Sequence, residues 1–75
     1  MADRLRVMVI DDNEHALELA RLAFEEHGDA VNVTTFDSGE SALDALHDRR
    51  RPRPHVIVLD INMPGTSGFD VLAQL

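Results

Sequence analysis

Two short aliphatic runs, each closed by aspartate, constrain this chain more than any other feature. The first reads Val7, Met8, Val9, Ile10 and ends in Asp11 and Asp12; the second reads Val56, Ile57, Val58, Leu59 and ends in Asp60. Both are continuous and rich in β-branched residues, the pattern of strands covered on both faces of a sheet. Parallel strands bring their C-terminal ends to one edge, where open α/β sheets bind ligands. Three carboxylates are therefore expected to meet there. Such a cluster suits a hard divalent cation, and Mg²⁺ fits because it takes few protein oxygens and keeps its waters.

Between the runs the period changes. Ala16, Leu19, Ala20 and Ala23 recur at helical spacing, with Glu14, Glu18, Arg21 and Glu25 opposite, so the sequence predicts a helix with the first set inward. Asn13 or Asp12 can cap its start, and Gly28 is placed to end it. Residues 30–36 carry Val31, Val33, Thr34 and Thr35 and read as a second strand. Asp37 or Ser38 then caps a second helix with Glu40 in its first turn and Ala42, Leu43, Ala45 and Leu46 as its apolar face. The segment from Arg49 to Pro54 holds four arginines and two prolines and reads as a solvated connector. A third strand follows at residues 55–60, and Gly68 opens a third helix with Phe69, Val71 and Leu72. Strand and helix alternate with short connections, which gives a parallel sheet with right-handed crossovers. Winding in both directions sets the strand order at 2-1-3 and brings Asp11 and Asp12 beside Asp60.

The 75 residues hold at most one small domain, with no cysteine to staple it. That absence, a short polar N-terminus and the lack of any membrane-length apolar run point to a cytoplasmic setting. Fourteen acidic residues against seven basic ones give a formal charge of −7, which argues against direct nucleic-acid binding by this segment. All seven basic residues are arginine, so no residue can act as an active-site lysine. His15, His27, His47 and His55 show no ligand spacing; His15 stands nearest the acidic end of the first strand.

From Leu5 onward the chain resembles the receiver domain of two-component response regulators. The resemblance is carried by VMVIDDN at the first strand, SGESAL at the second helix and HVIVLDINMPGTSGFDVL around the third strand. It implies a flavodoxin-like doubly wound parallel sheet. It also implies that Asp60 accepts a phosphoryl group from a sensor histidine kinase or phosphotransfer protein, in a signalling domain rather than a turnover enzyme. Asp12 would bind Mg²⁺ directly and Asp11 largely through water. The backbone carbonyl of Asn62 would complete the protein ligands, with its side chain near the attacking water of hydrolysis. Pro64 and Gly65 would shape that loop.

A receiver normally has five strands, with a hydroxyl residue ending the fourth and a lysine ending the fifth. Residues 1–75 reach only the third helix, so they read as a receiver domain incomplete at its C-terminus, with the edge of the third strand bare. Two alternatives follow. One is a non-phosphorylated, receiver-like interaction module, or a half-domain forming a homodimer through the third strand. The other is a Mg²⁺-dependent phosphatase with an aspartyl nucleophile. The phosphatase is disfavoured because Asn62 stands where such enzymes usually carry a second acid.

Overall fold

A computed structural model describes residues 4–60 and 68–74 of the chain. The elements run β1 (Leu5–Ile10), α1 (Glu14–Glu25), a 3₁₀ turn (Gly28–Ala30), β2 (Val31–Phe36), α2 (Gly39–His47), β3 (Val56–Leu59) and α3 (Gly68–Ala73). The three strands form one parallel sheet in the order β2-β1-β3. This is the doubly wound, flavodoxin-like arrangement, and it follows from handedness. A right-handed crossover from β1 out to β2 and another from β2 back past β1 to β3 place α1 and α2 on opposite faces.

Strand β1 is the centre. Val7, Met8, Val9 and Ile10 are all buried, as their unbroken apolar run predicts. Alternation sends Val7 and Val9 toward α1, where they meet Leu17, with Ala20, Phe24, Val31 and Val33 around them. Met8 and Ile10 point the other way, into a core built by Ala42, Leu43, Ala45 and Leu46 of α2 and Val71 of α3. The starts of α1 and α2 are capped by side chains. Asn13 Oδ1 accepts from the His15 and Ala16 N–H groups, and Ser38 Oγ accepts from the Ser41 N–H.

Three sequence expectations change. Helix α1 turns Leu17, Ala20 and Phe24 inward, whereas Leu19 is 65% exposed and Ala23 is also exposed. The inward set holds the i, i+3, i+7 spacing from Leu17 and lies over β1 and β2. Leu19 and Leu22 fall off that arc. Strand β3 is covered on one face only. Ile57 and Leu59 pack beside the α2 core, but Val56 and Val58, in register with Val7 and Val9, are nearly half exposed because α1 lies toward β2. Gly28 follows α1 rather than capping it directly: the helix cap is Glu26, and Gly28 adopts a φ of 57° in the turn leading to β2.

The connector before β3 is more ordered in its bonding than a solvated loop. His55 N–H donates to the Arg6 carbonyl at 2.8 Å, and the Arg6 N–H donates to His55 Nδ1 at 2.8 Å, fixing where β3 starts against β1. Arg53 Nη1 donates to the Leu46 carbonyl at the end of α2. Asp48 accepts from the side chain and backbone of Arg50. The Arg50 side chain first, then its N–H and the Arg51 charge, hold the Asp48 carboxyl below its usual value of 3.8, against a smaller opposing effect of desolvation.

Two outcomes test this account. Leu17→Ala should lower unfolding free energy by about 2–5 kcal/mol, whereas Leu19→Ala should change it by about 0.5 kcal/mol or less, read by urea denaturation. Because the folded pKa of Asp48 is depressed, its contribution is present above its unfolded pKa and is lost as pH falls through the lower folded value. Asp48→Asn should therefore be less stable than wild type at neutral pH, with the difference shrinking as pH falls through the depressed folded value, read by urea denaturation across pH.

Candidate functional site

The site is built by extending the parallel ladder one residue beyond the strands. Past the end of β1, the Asp11 N–H donates to the Phe36 carbonyl at 3.0 Å. Past the end of β3, the Asp60 N–H donates to the Ile10 carbonyl at 3.0 Å. These two bonds tie Asp11, at the end of β1, to β2, and Asp60, at the end of β3, to β1, so that the two residues lie side by side. The chain then turns: Asp11 Oδ1 accepts from the Asn13 N–H at 2.9 Å, and Asn13 in turn caps α1. Asp12 lies at the apex of that turn, exposed, while Asp11 and Asp60 are half-buried.

One carboxylate oxygen from each of Asp11, Asp12 and Asp60 lies within 4.8 Å of the others. Oxygens sharing an octahedral Mg²⁺ sit about 3–4 Å apart, a spacing close to that of this set. The donors are all hard oxygens at the solvent-open end of a sheet, chemistry that fits Mg²⁺ and not a softer, sulfur- or imidazole-preferring metal. Asn62, Pro64 and Gly65, the other residues expected here, lie outside the described residues. Gly68 is buried at the start of α3.

An open polar cleft of about 890 Å³ lies between α1 and α2, lined in part by Asn13, His15, Asp37 and Ser41. His15 opens onto it from the first turn of α1 and is not one of the grouped metal-ligating side chains. The sequence left the cap of α1 open between Asp12 and Asn13. With Asn13 as cap, Asp12 is not committed to the helix and remains available at the site. The Asp11–Asn13 hydrogen bond was not foreseen, although D-x-N ahead of a helix is a signal for such a turn.

Residues 7–75 match the response regulator receiver domain family. The chain is 42% identical over 92% of its length to a probable transcriptional regulatory protein, TcrX, of Mycobacterium tuberculosis, of which it covers 27%. It is 39% identical over 95% of its length to a protein-glutamate methylesterase/protein-glutamine glutaminase of Nitrobacter hamburgensis, of which it covers 18%. Among solved structures, the bacteriophytochrome response regulator AtBRR superposes with a TM-score of 0.79 at 31% identity, over 95% of this chain and 55% of that one. The chain belongs to the response regulator receiver family. It spans about a quarter or less of the length of these two curated relatives.

Proposed function

We propose that this chain is a phosphoacceptor receiver of a two-component relay, taking a phosphoryl group from a histidine kinase or phosphotransfer protein onto Asp60 with Mg²⁺. The observation that carries the reading is the convergence of Asp11, Asp12 and Asp60 at one sheet edge in a chain of this family. Asp11, Asp12 and Asp60, with the backbone carbonyl of Asn62, would hold the ion. Bound there, Mg²⁺ compensates charge between the attacking carboxylate and the phosphoryl oxygens.

In this reading the protein's own residues divide the work. Asp60 is the nucleophile: its carboxylate oxygen forms the new O–P bond as the P–N bond to the donor imidazole breaks, the pair of electrons leaving with nitrogen. Its backbone bond to Ile10 fixes the Asp60 main chain at the strand end, from which the carboxylate reaches the site. Asp11 and Asp12 contribute negative charge that favours the cation. The Asn62 side chain would lie near the water that later hydrolyses the acyl phosphate. Phosphorylation adds roughly 1.5–2 negative charges at this edge, a local event for a partner or a bistable element to read. In this reading the protein is a cytoplasmic signalling domain that assists its own phosphorylation and dephosphorylation without turning over a separate substrate. Among the described residues no helix is long and apolar enough to cross a membrane.

One observation favours a second reading, association through β3: Val56 and Val58 are nearly half exposed on a strand paired only with β1 among the described strands. Stoichiometric labelling of Asp60 separates the two, since an interaction module takes up no phosphate.

Incubation with acetyl phosphate and Mg²⁺ should add one phosphoryl group to the intact mass, and Asp60→Ala should abolish the gain with secondary structure unchanged. Uptake persisting in that variant overturns the assignment. Asp12→Ala should weaken Mg²⁺ binding in a metal titration more than Asn62→Ala, which keeps its backbone oxygen; equal losses would remove Asp12 from the direct ligands.

A further inference from the structure

The net charge of −7 conceals a segregation. Six of the seven arginines (Arg4, Arg6, Arg49, Arg50, Arg51 and Arg53) lie at the N-terminal end of the sheet, opposite the three aspartates. Asp29 pairs with Arg4, and Asp48 pairs with Arg50 and Arg51. Arg6, Arg49 and Arg53 have no carboxylate partner among the described residues. Two of them are nevertheless held in place: Arg6 Nε donates to the Arg53 carbonyl at 2.6 Å, and Arg53 Nη1 donates to the Leu46 carbonyl at 2.9 Å. A guanidinium has five N–H donors, so each keeps four beyond these bonds.

These two arginines, together with the Asp48-paired Arg51, line a cavity of about 210 Å³ between the start of the sheet and the connector before β3. Its wall is apolar where Met8, Leu46, Pro52 and Pro54 contribute. Its floor is polar for a reason visible in the register. Arg6 pairs with Asn32 and Met8 with Thr34, and alternation turns all four toward the α2 side, beyond the last turn of that helix. Asn32 and Thr34 thus occupy positions where a sheet under a helix normally carries aliphatic residues, and both are exposed. A concave, partly apolar wall with a few convergent polar groups is the usual make-up of a small-molecule site.

We propose that this cavity binds a small organic anion, with its apolar body against Met8, Leu46 and the two prolines and its acidic head on Arg6 and Arg53. The head is a carboxylate or a phosphate monoester; guanidinium recognises both through paired N–H donors. The site stands at the opposite end of the sheet from Asp60 and does not depend on phosphoryl chemistry there.

The test is a titration of the isotopically labelled protein, without Mg²⁺, followed by amide chemical shifts. Phenyl phosphate and phenylacetate are the probes; inorganic phosphate supplies the head alone and phenol the body alone. At least one probe should shift the Arg6, Met8, Thr34 and Leu46 signals saturably, about tenfold more tightly than either half-probe, and the tighter probe identifies the head group. Arg6→Gln combined with Arg53→Gln should weaken binding about tenfold or more, as expected for lost charge-assisted hydrogen bonds. Thr34→Phe, at an exposed strand position that accepts an aromatic residue, should fill the floor and block the probe. It carries the test if the arginine variant loses its dispersed spectrum. Absence of saturable shifts at millimolar probe overturns the proposal. So does inorganic phosphate binding as tightly as phenyl phosphate, which would mean that the arginines gather counterions only. Binding unchanged in Thr34→Phe overturns it as well.

Discussion

Everything in this molecule hangs on β1 being buried on both faces and hydrogen-bonded on both edges. Its four central residues are the only stretch in which every side chain is core, among the described residues. Because β2 and β3 flank it in parallel, the ladder carries past its end to both neighbours, through Asp11 to Phe36 and through Asp60 to Ile10. The acidic site is the continuation of that ladder. A carboxylate on a free loop would move to relieve repulsion from two others. Here Asp11 and Asp60 are anchored by their own backbone N–H groups, and their approach is set by the strand spacing. The fold thus holds three like charges close, the arrangement a divalent cation recognises.

The parts of the fold and site legible from sequence were those set by local chemistry. The aspartates terminate unbroken apolar runs, Ser38 and Glu40 mark a helix start, and short connections leave little choice of handedness. The inward face of α2 was legible because Ala42, Leu43, Ala45 and Leu46 are its apolar residues and the remaining positions, apart from Gly39, are polar. The inward face of α1 was not. Its apolar residues include Leu17, Leu19, Ala20, Leu22, Ala23 and Phe24, more than one face can bury. Periodicity then offers two stripes, and only the position of the sheet chooses between them. Leu17 and Phe24 reach Val7, Val9, Val31 and Val33; Leu19 and Leu22 remain outside.

That surplus on α1 has a counterpart on the sheet. Val56 and Val58 share the α1 side with Val7 and Val9, yet α1 does not extend over them. Apolar surface is therefore left on a helix and on a strand facing the same side, while the opposite side is closed by α2 and α3. Asymmetric burial of this kind explains why the sequence could read β3 as covered on both faces. The residues are suited to such an environment, and the described elements supply it on one face only.

Polar residues carried the least legible information. Asn32 and Thr34 alternate with Val31 and Val33, so β2 taken alone reads as a strand with one wet face. Their meaning depends on α2 ending short of the sheet and on the connector arching over the gap with its arginines and prolines. The same connector, read as a run of like charges, looks like a solvated loop. In the folded chain Asp48 gathers Arg50 and Arg51, the carbonyl of Leu46 takes Arg53, and the carbonyl of Arg53 takes Arg6. Backbone carbonyls can orient a guanidinium but cannot neutralise it. The result is a sheet with anionic side chains at one end and, at the other, three arginines (Arg6, Arg49 and Arg53) without a carboxylate partner among the described residues. The two ends are therefore suited to ligands of opposite charge: a cation at the clustered carboxylates and, under the proposal above, an anion at the arginines.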